Sequence, residues 1–135
     1  MSKFLIPDGR YLLTAAMDDR VRHMARAPDR AGERAHPIFA FVAALGGLGL
    51  KIADLSAALG LAFERGPVLA RCRLSYDAPL LVDRSYDVRA EIDDLQRKPS
   101  RVFGAADHLH LSIRLRDERP YSRARLHIVY PAGEA

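Results

Sequence analysis

The second half of the chain runs with a period of two. In Val68–Tyr76 the residues Val68, Ala70, Cys72, Leu74 and Tyr76 alternate with Leu69, Arg71, Arg73 and Ser75. Ser85–Asp93, Asp107–Arg116 and Tyr121–Tyr130 alternate in the same way. Their apolar sides read Tyr86, Val88, Ala90, Ile92, then Leu109, Leu111, Ile113, Leu115, then Ala124, Leu126, Ile128, Tyr130. Successive side chains of a strand point to opposite faces, so each run predicts a strand with one wet and one dry side. The breaks DAPLLVDR, DLQRKPSR and RDERP carry turn chemistry. Short connectors of this kind join antiparallel neighbours. Cys72 falls on the dry side and is expected to be a buried structural thiol.

The first half lacks that alternation. Gly9–Ala16 can form a short strand, and Asp18 and Asp19 then mark a helix start, with acids at the positive end of the helix dipole. Val21, Met24 and Ala25 give a weak apolar stripe over Asp19–Ala27, and Pro28 ends it. Pro28–Ala35 is a polar loop. Ile38–Leu59 is apolar nearly all round up to Leu50 and amphipathic afterwards. It predicts one long helix, Pro37–Leu59, with Pro37 in the first turn and Gly60 as the stop. A helix apolar on every side is buried on every side. Gly46, Gly47 and Gly49 each cost it about 1 kcal/mol against alanine. Close approach of another backbone to a thinned helix offsets that cost. The dry face of an antiparallel sheet needs a cover, and only this helix is long and apolar enough. The expectation is an α+β hotdog fold, a curved antiparallel sheet wrapped around a long central helix. It forms one domain over residues 1–135, with its core at about 9–131.

Composition narrows the function classes. The 135 residues, 49% hydrophobic and 28% charged, suit one ordinary globular domain rather than a disordered chain. The net charge of +4 suggests nucleic acid at first sight. The arginines, however, are interleaved with acids, as in DDRVRHMARAPDRAGER and RLRDERPYSRAR, and only 7% of residues are aromatic. That pattern lacks the basic, aromatic-bearing face of a nucleic-acid binder. A mild basic excess also suits phosphorylated small ligands. A single cysteine excludes an internal disulfide framework. Ile38–Leu50 is too short and glycine-rich to span a membrane, and MSKFLIPDGR lacks a signal-peptide apolar stretch. A cytoplasmic protein without nucleic-acid or membrane partners is expected.

Four segments in order, MDDRVRHMARA, AHPIFAFVAALGG, LSYDAPLLVDRSYDVRAEI and a final LHIVYP, resemble the MaoC-like hotdog proteins over roughly residues 10–131. That family comprises (R)-specific enoyl-CoA hydratases and 3-hydroxyacyl dehydratases. The YD-x-PL phrase at Tyr76–Leu80 is typical of its tandem members and separate-subunit relatives. The resemblance implies chemistry on acyl-CoA thioesters, with coenzyme A entering as part of the substrate and no other cofactor. In the family an aspartate and a histidine, five residues apart in G-D-x-N-P-x-H, activate a water that adds across the double bond. A backbone N–H from an H-G pair at the helix start polarises the thioester carbonyl.

This chain departs at each point. Asp29 stands near the place of the catalytic aspartate, but five residues on is Arg34. The rest of the motif loop is missing. The H-G pair reads His36-Pro37, and proline has no N–H. The resemblance therefore implies a non-catalytic hotdog half that pairs with a catalytic one.

Each remaining candidate carries two readings. His36 is a catalytic or ligand-facing residue, or one merely positioned before the helix by Pro37. Asp29 is a degenerate acid or a solvated loop residue. His108 and His110 share one face of one strand and could ligate a metal, but no third ligand stands at a suggestive spacing, so no metal site is expected. Phe39, Phe41 and Leu45, with Leu48, line an acyl pocket or form plain core. Arg71, Arg73, Arg114, Arg116, Arg123 and Arg125 grip coenzyme phosphates or form a solvated face. A lone hotdog unit leaves a sheet edge unpaired, so a hotdog partner or a second copy is expected. Three functions stay open: an accessory subunit of a heteromeric hydratase or dehydratase, a self-sufficient homodimeric hydratase or thioesterase with an atypical site, and a small-molecule binding module.

Overall fold

In the computed structural model, which describes residues 4–133, the four alternating runs and the N-terminal strand join into a five-stranded antiparallel sheet. The elements are β1 (Gly9–Leu13), α1 (Ala15–Ala25), α2 (Phe39–Gly46), α3 (Ile52–Ala58), a 3-10 turn at Phe63–Arg65, β2 (Val68–Tyr76), β3 (Arg84–Ser100), β4 (Gly104–Arg116) and β5 (Pro120–Gly133). The strand order is β1-β3-β4-β5-β2, so β1 and β2 are the edges. This is the expected α+β hotdog architecture, with α2 packed against β1, β4 and β5.

The α1 helix begins earlier than the acidic pair suggested. Thr14 is its N-cap, the Oγ1 accepting the Met17 N–H at 3.1 Å. Asp83 Oδ1 accepts the Ala15 N–H at 3.0 Å. The first strand accordingly stops at Leu13, and Asp18 sits inside the helix, fully buried. Arg26, in the left-handed region at φ 54°, ends the helix two residues before Pro28.

The single long helix is the main correction. It is split into α2 and α3 by Gly47–Lys51. The N-terminal segment crosses there with its backbone in contact. A Cβ on Gly49 would overlap the Pro7 carbonyl oxygen, and one on Gly9 would overlap the Gly47 carbonyl and lie 2.6 Å from the Gly49 nitrogen. Gly47 also faces Val88 Cγ2, 2.6 Å from where its Cβ would be. The glycines do admit another backbone, as expected, but its passage breaks the helix rather than running along it.

The core lies between α2 and the concave face of the sheet. Phe39, Ala40, Ala43 and Ala44 are buried against Tyr86, Val88, Leu109, Leu111, Ile113, Leu126 and Tyr130. Each large side chain buried here contributes about 1.5–3 kcal/mol. The opposite face of α2 is not covered to the same degree. Phe41, Val42 and Leu45 are half-buried and Ile38 is 39% exposed. Burial on every side is thus incomplete within one chain.

Two bulges alter the alternation. In β2 the register slips between Leu69 and Arg71, so Ala70 is the extra residue. In β3 it slips between Ile92 and Asp94, leaving Asp93 unpaired. The β3–β4 hairpin is also longer than DLQRKPSR suggested. Lys98, Pro99 and Ser100 still pair with β4, and the turn falls at 101–103, where Ser100 Oγ accepts the Phe103 N–H at 3.1 Å. Pro99 is tolerated because β1 pairs with β3 only up to Val88, leaving an open edge beyond. Among the described residues no helix is long and apolar enough to cross a membrane.

Candidate functional site

The mouth of α2 is built by the loop between α1 and α2 and by the YD-x-PL segment after β2. One network fixes that loop. Buried Asp18 accepts from Arg22 Nε at 2.7 Å and Arg30 Nη1 at 3.0 Å on one oxygen, and from the His36 N–H at 2.6 Å on the other. Arg22 donates onward to the Pro28 and Arg34 carbonyls, and Arg30 to the Gly32 carbonyl and Asp19. Burial alone would raise the Asp18 pKa. The His36 amide and the two guanidiniums outweigh it and hold the carboxyl below its usual value. Across the mouth, Tyr76 donates its hydroxyl to the Pro37 carbonyl at 2.8 Å. An isolated bridge pairs Arg34 with Leu81.

These contacts border a cleft of about 590 Å³, with Asp29, Arg34, Pro37, Tyr76 and Pro79 among its walls. Asp29 lies in it as an exposed carboxylate. His36 does not line it. The His36 Nδ1 accepts the Ile38 N–H at 3.0 Å, so the ring caps the start of the helix. That bond occupies the one free backbone donor next to Pro37, and the following Phe39 N–H goes to the His36 carbonyl. Among the described residues no histidine side chain is hydrogen-bonded or ion-paired to a carboxylate. The mouth holds a shaped cleft without a coupled acid–base pair.

The three acyl-pocket candidates separate. Phe39 is 1% exposed and faces the sheet, while Phe41 and Leu45, four residues apart, share the half-open face of α2.

The Cys72 expectation is overturned: the thiol is exposed. Its neighbour across the ladder, Leu126, is core, so Cys72 does sit on the concave side. But β2 is an edge strand with eight of nine residues exposed, and nothing in the chain covers it. Partial desolvation still raises the thiol pKa, which argues against an activated nucleophile.

On the convex face the sheet register assembles a group that spacing alone could not show. His110 pairs directly with His127 of the next strand, the rings stacked 4.2 Å apart, and His108 Nδ1 shares a 2.8 Å hydrogen bond with His127 Nε2. Burial first, then the neighbouring His110 and His108, lower the His127 pKa and favour the neutral ring. Among the described residues no group of three or more His, Cys, Asp or Glu is arranged to hold a metal ion. Of the six convex-face arginines, Arg71, Arg73 and Arg125 border one shallow pocket and Arg114, Arg116 and Arg123 another.

No protein-family model and no curated protein matches the sequence. Solved structures match over nearly the whole chain. The truncated HadBC (3R)-hydroxyacyl-ACP dehydratase complex of Mycobacterium tuberculosis aligns at TM-score 0.69 and 12% identity, covering 95% of this chain and 98% of that one. The ChsH1–ChsH2 complex of the same organism aligns at TM-score 0.67 and 18% identity, covering 98% and 87%. A thioesterase complexed with coenzyme A and zinc from Thermus thermophilus aligns at 0.56 and 13% identity, covering 98% and 88%. At these identities the likeness establishes the fold, and the chain is a hotdog protein.

Proposed function

We propose that this chain is the non-catalytic subunit of a heteromeric, MaoC-like enoyl-CoA hydratase or dehydratase of fatty acid or lipid metabolism. The observation that carries the reading is the α2 mouth. A cleft is present, yet among the described residues neither carboxylate in its walls, Asp29 or Asp77, has an imidazole partner, and the helix start offers no free N–H. Next to that mouth, the outer face of α2 and the whole of β2 lack a cover. A second hotdog subunit laid against them buries Ile38, Phe41, Val42 and Leu45 and extends the sheet. Phe41 and Leu45 then line the acyl channel, Phe39 supports them from the core, and the partner supplies acid and base. The fold's likeness to HadBC and ChsH1–ChsH2, both solved as complexes, supports this reading.

The test is co-expression with a hotdog protein from the same genome that carries an intact G-D-x-N-P-x-H phrase. A stable complex that hydrates enoyl-CoA faster than either part supports the proposal. Absence of a complex with any such partner contradicts it.

The likeness to a coenzyme A-bound thioesterase favours a second reading, a homodimeric thioesterase with an atypical site at His36 or Asp29. Acyl-CoA hydrolysis by the chain alone, lost in His36→Ala, would select it.

A further inference from the structure

The two sheet edges are unlike. β1 is short, and its Arg10 pairs with Asp87 at 3.7 Å. β2 is nine residues long and exposed on both faces. Its convex side carries Arg71 and Arg73, in cross-strand register with His127 and Arg125 of β5. Further along the same rows stand His110 and Asp94, and Ser112 and Glu91. None of the ion pairs among the described residues includes Arg71, Arg73 or Arg125. Asp93 and Asp94 of β3, three strands from β2, line the same shallow pocket as these arginines but form no ion pair with them; Asp93 accepts from Ser112 at 2.5 Å, and Glu91 faces Arg114 at 3.7 Å.

Consider this edge meeting its own copy. With both helices on the same side of a continuous antiparallel sheet, full-length pairing of Val68–Tyr76 puts the two-fold axis at Cys72. Arg71 then stands directly opposite Arg73 of the partner subunit, twice. Moving the axis to residue 71 or 73 sets an arginine opposite itself. Only a slip that gives up about half the strand separates them. Like charges directly opposite destabilise a strand pair, and Arg125 adds a third cation beside each cluster. The Ala70 bulge twists the same edge, a second device against indiscriminate pairing.

The geometry points to a β2 edge that selects against self-pairing and for a different hotdog subunit, one presenting carboxylates on the convex side of its own edge strand. This rests on the proposed function for the existence of a hotdog partner, and it adds the reason the assembly is heteromeric.

Sedimentation velocity on the intact chain, on R71E/R73E, and on their equimolar mixture tests it, at low and high salt, with maleimide labelling of Cys72 as the local probe. The chain alone associates weakly at low salt and more strongly as salt screens the arginines. The mixture, with arginines facing glutamates, associates at least about tenfold more tightly than the chain alone at low salt, and high salt narrows the gap. Cys72 is protected in that mixed dimer. The salt titration of the unaltered chain stands even if R71E/R73E fails to fold. A tight low-salt dimer of the chain alone with Cys72 protected, unimproved by mixing, overturns the inference and leaves a hotdog partner at β2 in place. A Cys72 that stays reactive with every hotdog partner overturns the proposed function as well.

Discussion

Asp18 holds the mouth together, and the sequence disguised it as a helix cap. It is fully buried and serves two guanidiniums and one amide. Asp18→Ala leaves those donors without their acceptor and should cost about 3–5 kcal/mol in chemical denaturation. The sign of its pH dependence follows from the lowered pKa. The stabilisation is complete above the unfolded value of about 3.9 and is lost as pH falls through the lower folded value. Asp18→Asn should therefore flatten the acid limb of a stability–pH curve while leaving its shape above pH ~5 unchanged; an identical acid limb would contradict the network. The cap is Thr14, whose hydroxyl accepts the Met17 N–H three residues on, and the two aspartates expected at the start lie inside the helix. His36 was legible as a residue at the helix start. Its role as acceptor of the Ile38 N–H was not, because a ring's rotamer is set by packing.

At the scale of elements, local patterns read well and long-range contacts did not. The bounds of Val68–Tyr76 agree with the alternation because a strand's period is written in consecutive residues. The bulges at Ala70 and Asp93 depend on neighbouring strands and left no local mark. Gly46, Gly47 and Gly49 announced a close approach without saying by what. The partner proved to be Pro7–Gly9, some forty residues away, and its crossing divides the helix. The three glycines should accordingly differ. Gly49→Ala collides with backbone and should cost about 2 kcal/mol or more. Gly46→Ala meets only the Tyr11 ring at 3.0 Å and gains helix propensity, so it should stay within about 1 kcal/mol of the parent. Equal denaturation midpoints for the two variants would contradict the crossing.

For the whole molecule, the sequence asks for more burial than one chain supplies. An all-apolar α2 predicts burial on every side and an alternating β2 predicts a dry face, yet the outer side of α2 is half-buried and β2 is exposed on both faces. On the proposed function the excess is the imprint of the partner's surface, and it accounts for the exposure of Cys72, whose side of the strand is dry only when something covers it. The candidate site was legible mainly through its losses, Arg34 and Pro37, whereas the convex histidine ladder and arginine rows needed the register. Covering β2 should slow maleimide modification of Cys72 at least about tenfold at saturating partner, while labelling unchanged by any hotdog partner would contradict the proposed function.

The division of labour is the central claim, and steady-state loss of the enoyl-thioester absorbance measures it directly. The chain alone should leave crotonyl-CoA and longer enoyl-CoAs at the uncatalysed rate. Together with an intact-motif hotdog subunit it should give hydration that exceeds that subunit's own and survives His36→Ala in this chain. Robust hydration by the purified chain alone, abolished by His36→Ala or Asp29→Asn, would contradict the account.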